Sequence, residues 1–275
     1  MRAGKGWNIW YMITSMIQES EASPPVDLSV VLACYNEEPW LERNVSEVVR
    51  VLEGAGFSWE IILVDDASRD ATPEIVRRLA TSGPGGRIRA LFHPANTGRG
   101  RAVADGMCEA RGEVVGFLDV DIEVHPLHIP ACYSAVRAGA PVAVGTRTFR
   151  VVPGGLYRHF LSWGYSKLVH ALLPVREVRD TESGCKFFLR KAILPVLTQV
   201  RDPGWFWDTE MMVRCLKAGL AVAEVPCVYQ RNPAKGSTVS VARDAFIQVK
   251  RILALRKRLA RERTEARRSA VHERG

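Results

Sequence analysis

Near the middle of the chain runs Val115-Gly-Phe-Leu-Asp-Val-Asp-Ile-Glu123, an apolar segment that ends in three acids. The run of Val, Phe and Leu predicts a buried strand. Asp119, Asp121 and Glu123 follow at alternate positions, where like charges would repel one another unless a cation lay among them. Carboxylate oxygens suit Mg2+ or Mn2+, whose shells are commonly completed by substrate phosphates. The segment therefore predicts three metal ligands, with a solvated acidic loop as the alternative.

Outward from this segment, strand patterns alternate with helix patterns. The predicted strands are residues 28–33, 61–64, 88–92, 114–118 and 142–144, and the predicted helices include 41–52, 101–110 and 127–138. Thr72-Pro73 is the cap-then-proline order of a further helix start. Strands that alternate with helices predict an α/β fold with a mostly parallel sheet covered on both faces.

Length and charge limit the classes of protein. The chain has 275 residues and 47% hydrophobic content, enough for one large domain. Residues 243–275 hold 11 of the 38 Lys+Arg and 4 of the 30 Asp+Glu, which leaves 27 against 26 elsewhere. The body is nearly neutral, so a basic groove for nucleic acid is not expected. We predict an N-terminal segment at 1–26, an α/β domain at 27–240 and a basic helix at 241–275.

Both ends of the chain leave alternatives open. The apolar, aromatic residues 7–17 are too few to span a bilayer, so they lie in a membrane interface, cover the body or form a poor signal peptide. After residue 240 no apolar run of about 20 residues follows. Apolar and basic residues there alternate at helical spacing, which fits a helix on an anionic membrane or one packed on the body.

The cysteines and glycines lack the sequence signatures of two further kinds of site. Six cysteines occur without a Cys-x-x-Cys pair, which is typical of reduced, mostly buried thiols in the cytosol and does not predict zinc. Gly98-Arg-Gly100 resembles part of a dinucleotide fingerprint, but Val103 stands where the third glycine belongs. What remains is a glycine turn with Arg99 at a helix start, suited to a diphosphate or to a tight turn.

Polar residues follow the predicted strands, at the edge where ligands bind in such sheets. Asp65 and Asp66 can accept hydrogen bonds from ribose hydroxyls and the N–H of a base, and Tyr35 offers a ring on which a base can stack. The alternative for Asp66 is an Asx turn at the start of the next helix.

The ordered motifs resemble the inverting family-2 glycosyltransferases of GT-A fold, especially the polyprenyl-phosphate (dolichyl-phosphate) mannose and glucose synthases. The resemblance covers roughly residues 27–240 and rests on the whole set rather than on any member. The matching segments are Val31-Leu-Ala-Cys-Tyr-Asn-Glu37, Ile62-Leu-Val-Asp-Asp-Ala-Ser68, Asn96-Thr-Gly-Arg-Gly-Arg-Ala102, Phe117-Leu-Asp-Val-Asp121, Val144-Gly-Thr-Arg147, Asp180-Thr-Glu-Ser-Gly-Cys-Lys-Phe-Phe188, Phe206-Trp-Asp-Thr-Glu210, Glu224-Val-Pro226 and Arg231-x4-Gly236-Ser237.

The resemblance implies a role for each matching residue. Expected to bind the nucleotide sugar are Tyr35, Asn36, Glu37, Asp65, Asp66, Gly98, Arg99, Asp119, Lys235 and Ser237. Expected to bind Mg2+ or Mn2+ are Asp119, Asp121 and Glu123. Expected in catalysis are Asp208, Arg147 and Arg231, and on the acceptor side Asp180, Lys186 and Glu210. An N-cap role for Asp208 and a salt bridge between Lys186 and Asp180 are the structural alternatives.

The expected reaction is inverting transfer of a hexose from a UDP-glucose-like or GDP-mannose-like donor to a polyprenyl phosphate. A phosphate acceptor is largely ionised at neutral pH and attacks unaided, whereas a hydroxyl acceptor requires a base, for which Asp208 is the candidate. Alternatives are therefore a transferase with a hydroxyl acceptor and a nucleotide-sugar-binding protein without turnover. The lipid acceptor and the basic helix imply a cytoplasmic protein, peripheral on the cytoplasmic face of a membrane.

Overall fold

Seven strands form one sheet in the computed structural model, which describes residues 26–148, 156–175, 177–230 and 241–272. They are β1 Leu28–Cys34, β2 Trp59–Asp65, β3 Ile88–Phe92, β4 Val114–Leu118, β5 Val142–Thr148, β6 Cys185–Leu189 and β7 Val222–Val228. Their order is β3-β2-β1-β4-β6-β5-β7, and only β6 runs antiparallel to its neighbours. The predicted mostly parallel sheet is confirmed.

Helices cover both faces of this sheet. They are α1 Leu41–Glu53, α2 Thr72–Ser82, α3 Arg99–Cys108, α4 Ile129–Arg137, α5 Leu156–Leu172, α6 Arg190–Leu197, α7 Trp207–Lys217 and α8 Val241–His272. On one face α1, α2 and α4 pack on the strands, and on the other α3, α6 and α7 do so, each face with its own apolar core. Strands buried on both sides explain why β1, β2 and β4 read as continuous apolar runs rather than as alternating ones.

The reversed strand β6 controls the geometry of the site. Because β6 is antiparallel to β4, it begins at the edge where β4 ends, and Cys185 pairs with Leu118. The residues just before β6 therefore meet the acids just after β4, and the N–H of Asp119 donates to the carbonyl of Gly184 at 2.8 Å. Two motifs more than sixty positions apart are joined at one edge of the sheet.

The C-terminal helix α8 packs on the body through one face. Ile252 and Leu255 are fully buried in a third apolar cluster with residues of α5 and α7, including Val169 and Val213. At the border of this contact Arg258 lies 2.9 Å from the carboxylate of Glu210. The face of α8 with Ile252 and Leu255 therefore packs on the body, and the opposite face is exposed. The segment 7–17 lies outside the described residues.

Candidate functional site

A pocket opens at the carboxyl edge of the sheet, where β4, β5 and β7 end and α7 begins. The described residues that line it are Asp119, Asp121, Glu123, Val124, Arg147, Glu182, Gly184, Trp205, Asp208 and Tyr229. Five of these are acids and one is an arginine. A pocket with so many like charges is suited to a cation and to the phosphates that accompany it.

Three non-glycine residues at this edge of the sheet have a left-handed backbone conformation. Asn36, Ala67 and Ile122 have φ of 55°, 58° and 48°, and they lie shortly after β1, β2 and β4, respectively. For the β-branched Ile122 this conformation is a genuine outlier. Ile122 separates Asp121 from Glu123, both of which line the pocket. Strain of this kind concentrates at ligand sites, where the surrounding structure holds it in place.

The acids after β4 have partners of their own. Oδ1 of Asp119 accepts from Nε of Arg99 at 2.7 Å, and Oε2 of Glu123 accepts from the hydroxyl of Tyr229 at 2.5 Å. A side chain at Gly184 would overlap the carboxylate of Asp119, so only glycine leaves this carboxylate room.

The donor atoms of this pocket fit a hard cation. They are carboxylate oxygens, with no sulfur or imidazole nitrogen among the described lining residues. Within the described ranges, no three acids bring their ligand atoms within 4.8 Å of one another. The three predicted ligands, Asp119, Asp121 and Glu123, therefore do not converge on one point. Mg2+ is usually held by one or two carboxylates, with phosphates and water as its other ligands.

Asp208 lies in the first turn of α7 rather than at its N-cap, which is Phe206. Its carboxylate is 3% exposed and is held by two cations: Arg99 donates to Oδ2 at 2.7 Å and Lys186 donates to Oδ1 at 3.1 Å. Burial lowers the pKa of Arg99, but Asp119 and Asp208 outweigh it and raise that pKa above its ordinary value. Arg99 therefore stays charged and links the acid of β4 to the acid of α7.

Lys186 is fully buried and does not line the pocket. Besides Asp208, it contacts the backbone carbonyl of Ser183. A buried ammonium group requires such partners, since an unpaired charge in the interior is very costly. The structural alternative predicted a salt bridge with Asp180; the ion pair that forms is with Asp208 instead.

Asp180 pairs with Arg147. Nε and Nη2 of Arg147 donate to the two carboxylate oxygens at 2.6 and 2.9 Å, a bidentate geometry. Burial raises the pKa of Asp180, but the Arg147 guanidinium outweighs it and lowers that pKa below its ordinary value. Asp180 thus fixes the arginine at the pocket wall rather than facing the pocket itself.

Glu182 has the opposite environment. It lines the pocket, and burial raises its pKa to about 7, with Asp180 and Asp208 adding to the effect and Arg147 opposing it. A carboxyl group with such a pKa can donate or accept a proton near neutral pH.

The nucleoside end of the predicted site lies after β1 and β2. Tyr35 is 41% exposed, whereas Asp65 and Asp66 are buried. Asp66 accepts from the backbone N–H groups of Thr97 and Gly98, both at 2.8 Å, and it pairs with His93. Burial raises the pKa of Asp66, but these hydrogen bonds outweigh it and lower the pKa.

Of the two acids, Asp65 is the one with an unsatisfied oxygen. Its buried Oδ1 has no hydrogen-bond partner in the described part of the chain. Such an orphaned acceptor indicates a missing donor. Asp66 instead positions the turn before α3, including Gly98, whose φ of 98° and close approach to Pro203 exclude other side chains.

Asn36 and Glu37 also have structural contacts. Asn36 accepts from the N–H of Arg69 at 2.8 Å, and its own N–H donates to the hydroxyl of Ser68 at 3.0 Å. The N–H of Glu37 donates to the hydroxyl of Thr72 at 2.8 Å. These bonds connect the loop after β1 to the loop after β2, so the two loops form one platform.

The other predicted residues lie apart from the pocket or outside the described residues. Glu210 is fully buried on α7, where it accepts from the N–H of Asp202 and faces Arg258 of α8. Its separation from Asp208 follows from helix geometry, since positions two apart do not share a face. The predicted residues outside the described ranges are Arg231, Lys235 and Ser237.

Five of the lining residues have no role in the sequence prediction, and three of these, Glu182, Trp205 and Tyr229, have acidic or aromatic side chains. Glu182 and Tyr229 belong to or follow quoted motifs, but an acid and a tyrosine at those places carry no chemical signal alone. Trp205 is 64% exposed, and its ring lies 4.9 Å from the guanidinium carbon of Arg99. An exposed tryptophan at a pocket rim is recognisable only once the fold is known.

The chain matches known proteins over most of its length. Residues 29–197 match the model of glycosyl transferase family 2. The chain is 35% identical to glycosyltransferase AglD of Haloferax volcanii over 80% of its own length, and it spans 35% of AglD. It is 30% identical to dolichyl-phosphate beta-glucosyltransferase ALG5A of Trichomonas vaginalis, covering 79% of this chain and 69% of that protein. The corresponding protein of Drosophila melanogaster is 31% identical, with 74% and 67% covered.

Solved structures support the fold. Glucosyl-3-phosphoglycerate synthase of Mycobacterium tuberculosis, in complex with Mn2+ and UDP-glucose, superposes with a TM-score of 0.64 at 22% identity, covering 92% of this chain and 84% of that chain. The same enzyme with Mg2+ and UDP gives a TM-score of 0.60. The predicted GT-A fold is thereby confirmed. From its motifs, its sheet and these matches, the chain belongs to glycosyl transferase family 2.

Proposed function

We propose that the chain transfers a hexose from a nucleoside diphosphate sugar to a polyprenyl phosphate, with inversion at the anomeric carbon. Glucose is the hexose that we propose first. The names of its relatives support this substrate pair: dolichyl-phosphate beta-glucosyltransferases at 26–31% identity include those of yeast and Drosophila. The glucosyl relatives favour a UDP-linked donor over a GDP-linked one.

We assign donor binding to the platform formed by the loops after β1 and β2, and to the acids after β4. Tyr35 offers its exposed ring to the base, and the orphaned Oδ1 of Asp65 accepts from a donor on the nucleoside. Asp119 and Asp121 would hold Mg2+ or Mn2+, a proposal that the Mn2+- and Mg2+-containing complexes of the structural neighbour support. When bound, such an ion supplies Lewis-acid stabilisation of the leaving diphosphate.

The cations of the site stabilise the same developing charge. Arg147 is oriented by Asp180 before any substrate arrives, which avoids reorganisation during the reaction. We assign to Arg231, Lys235 and Ser237 the phosphate contacts that the family resemblance implies. Arg99 pairs with Asp119 here, so metal binding at Asp119 and this ion pair compete for one carboxylate.

The observation that carries the acceptor assignment is the double ion pair of Asp208. Each oxygen of this buried carboxylate is engaged by a cation, Oδ2 by Arg99 and Oδ1 by Lys186, which favours a structural role over that of a base. A phosphate with a second pKa of about 6 attacks without a base. Asp208 is then a positioning residue that holds Arg99 beside the pocket.

A hydroxyl acceptor remains the second candidate because of Glu182. Its pKa of about 7 and its place in the pocket wall suit a general base. In that reaction Glu182, rather than Asp208, would take the proton of the attacking hydroxyl.

The deciding experiment is mass spectrometry of products. The protein is incubated with Mg2+ or Mn2+, with UDP-glucose or GDP-mannose, and with a short polyprenyl phosphate or the matching polyprenol. A glucosylated polyprenyl phosphate formed from UDP-glucose is the expected product. Release of nucleoside diphosphate with no lipid product would favour the hydroxyl acceptor, and the absence of any turnover would leave a nucleotide-sugar-binding protein.

Asp121→Ala tests the acid cluster. We expect transfer to fall by at least about 100-fold, the usual effect of losing a preorganised electrostatic contact, with little change in thermal stability. The exposed Glu74→Ala on α2 is the control for loss of one surface acid. Full activity in Asp121→Ala would remove this residue from the site.

We further propose that the protein is peripheral to a membrane. No helix in the described ranges is long and apolar enough to cross one. The exposed face of α8 carries Lys250, Lys257, Arg261 and Arg268, whose spacing of 7, 4 and 7 residues puts them on one line opposite the buried Ile252 and Leu255. We name these four residues the basic stripe. Each basic residue near an anionic surface contributes about 1 kcal/mol.

A further inference from the structure

Three cysteines distant in sequence converge inside the molecule. The Sγ atoms of Cys132, Cys185 and Cys227 all lie within 4.8 Å of one another. Across the described ranges, this is the only group of three metal-ligating side chains that approach so closely. The cluster is separate from the pocket, whose lining includes none of the three residues.

The cluster has the features of a formed site. Its members come from α4, β6 and β7 and are 0%, 0% and 1% exposed. Gly145 of β5 faces them: a side chain there would lie 2.8 Å from Sγ of Cys227 and 3.2 Å from Sγ of Cys185. The glycine therefore leaves room for the sulfurs of Cys185 and Cys227 beneath β5.

The thiol of Cys227 donates to the backbone carbonyl of Val225 at 3.3 Å, a bond within its own strand. Each thiol must lose its proton before it binds a metal ion. A thiolate is the form of cysteine that binds metals.

The three sulfur atoms determine which class of metal ion the cluster favours. Three sulfurs without an oxygen or nitrogen donor favour soft cations such as Cu+ or Zn2+ over Mg2+ and Mn2+. With metal–sulfur distances of about 2.3 Å, three sulfurs around one ion lie about 4 Å apart. This separation is compatible with three Sγ atoms that all lie within 4.8 Å of one another. A cation would also offset the charge of the thiolates, which is costly in a buried site.

We propose that Cys132, Cys185 and Cys227 bind one soft, thiophilic metal ion beneath β5. No electron transfer is involved: the ion bonds to the sulfurs, and each thiol that becomes a ligand releases its proton to solvent. The site is distinct from the proposed Mg2+ or Mn2+ site and does not depend on the proposed function.

The site connects structurally to the pocket wall. In the parallel pairing of β5 with β7, Cys227 lies opposite Arg147. Cys185 immediately follows Gly184, whose carbonyl holds Asp119. A bound ion would cross-link β6, β7 and α4 just below these residues, so we expect it to raise thermal stability as any ligand of the folded state does.

The test is anaerobic titration of the reduced full-length chain with Cu+ and, separately, Zn2+, each against a chromophoric chelator. We expect one ion per chain for at least one of the two metals, and X-ray absorption of that complex should show sulfur neighbours only. Cys185→Ser should lose stoichiometric binding. Cys215→Ser, a fully buried thiol in the other core, should retain it and controls for loss of any cysteine.

Failure would be clear. Binding of neither ion, oxygen or nitrogen neighbours in the absorption spectrum, or equal binding by Cys185→Ser and the wild-type chain would each overturn the proposal. The absorption measurement uses the wild-type chain, so it remains decisive even where Cys185→Ser does not fold.

Discussion

At the scale of single residues, one carboxylate that lines the pocket and one that lies behind its wall have opposite environments. Asp180 receives two hydrogen bonds from Arg147, so its pKa is lowered, whereas burial raises the pKa of Glu182 to about 7. These two acids are only two positions apart in the sequence. The difference arises because Arg147 makes a bidentate contact with Asp180, whereas burial dominates at Glu182. Asp180 therefore positions the arginine, and a role for Glu182 as base belongs to the proposed hydroxyl-acceptor alternative.

Glu182 should leave a signature in the pH dependence of stability. Its pKa is raised from 4.5 to about 7 in the folded chain, so between these values the folded chain binds more protons than the unfolded one. The free energy of unfolding should therefore decrease as the pH rises through this window. Glu182→Gln should lack this decrease in urea unfolding without divalent cations.

The matched control is Glu74→Gln, an exposed glutamate of α2. It should show the pH dependence of the wild-type chain. Equal slopes for Glu182→Gln and the wild-type chain between pH 4.5 and 7 would mean that Glu182 titrates normally.

At the scale of elements, the contact between α3 and α7 determines where Asp208 lies. A side chain at Gly100 would overlap Cβ of Trp207 and the carbonyl of Gly204. The second glycine of the 98–100 turn is therefore required by helix packing. This close approach brings Arg99 of α3 to Asp208 of α7.

Gly100→Ala should destabilise the fold by about 1–3 kcal/mol, the usual cost of overpacking, and should lower transfer because α7 must shift. Urea unfolding and the product assay measure the two effects. Gly164→Ala in α5 is the control, since nothing lies within 4 Å of its added methyl group. We expect it to be neutral or to stabilise by up to about 1 kcal/mol. A Gly100→Ala chain as stable as wild type would show that the helices have room.

At the scale of the whole molecule, one face of α8 is part of the core and the opposite face is exposed. Its inner face buries Ile252 and Leu255 and places Glu262 2.6 Å from Arg214, a buried residue of α7. Removing α8 would expose that core and leave Arg214 without this partner. The proposed membrane contact is therefore better tested by changing exposed charges than by truncation.

Lys257→Glu with Arg261→Glu reverses two charges of the basic stripe. We expect sedimentation with anionic vesicles to fall at least about 10-fold at low salt, while transfer to a short-chain acceptor is retained, because each residue contributes about 1 kcal/mol. Arg256→Glu with Arg263→Glu changes the net charge equally but off the stripe and should weaken binding less. Equal losses would indicate net charge alone, and unchanged sedimentation of the first variant would contradict membrane contact.

Much of the fold and part of the site could be read from the linear order of residues. Apolar runs followed by polar residues predicted β1 to β5, and parallel strands bring their carboxyl ends to one edge, so Asp65 and Asp119 were expected at that edge. Arg147 was expected in the site only from the family resemblance. These inferences succeed because burial and strand direction leave local patterns in the chain.

The partners of these residues were set only by the tertiary structure. Asp208 meets Arg99 across 109 positions, and Cys132 meets Cys185 and Cys227 through a reversed strand that no local pattern revealed. Which of two adjacent acids is satisfied, and which of two helix faces is buried, likewise depend on elements distant in sequence. Local periodicity reports whether a residue is buried, but only long-range packing decides which group it meets, because pairing and charge depend on distances in space.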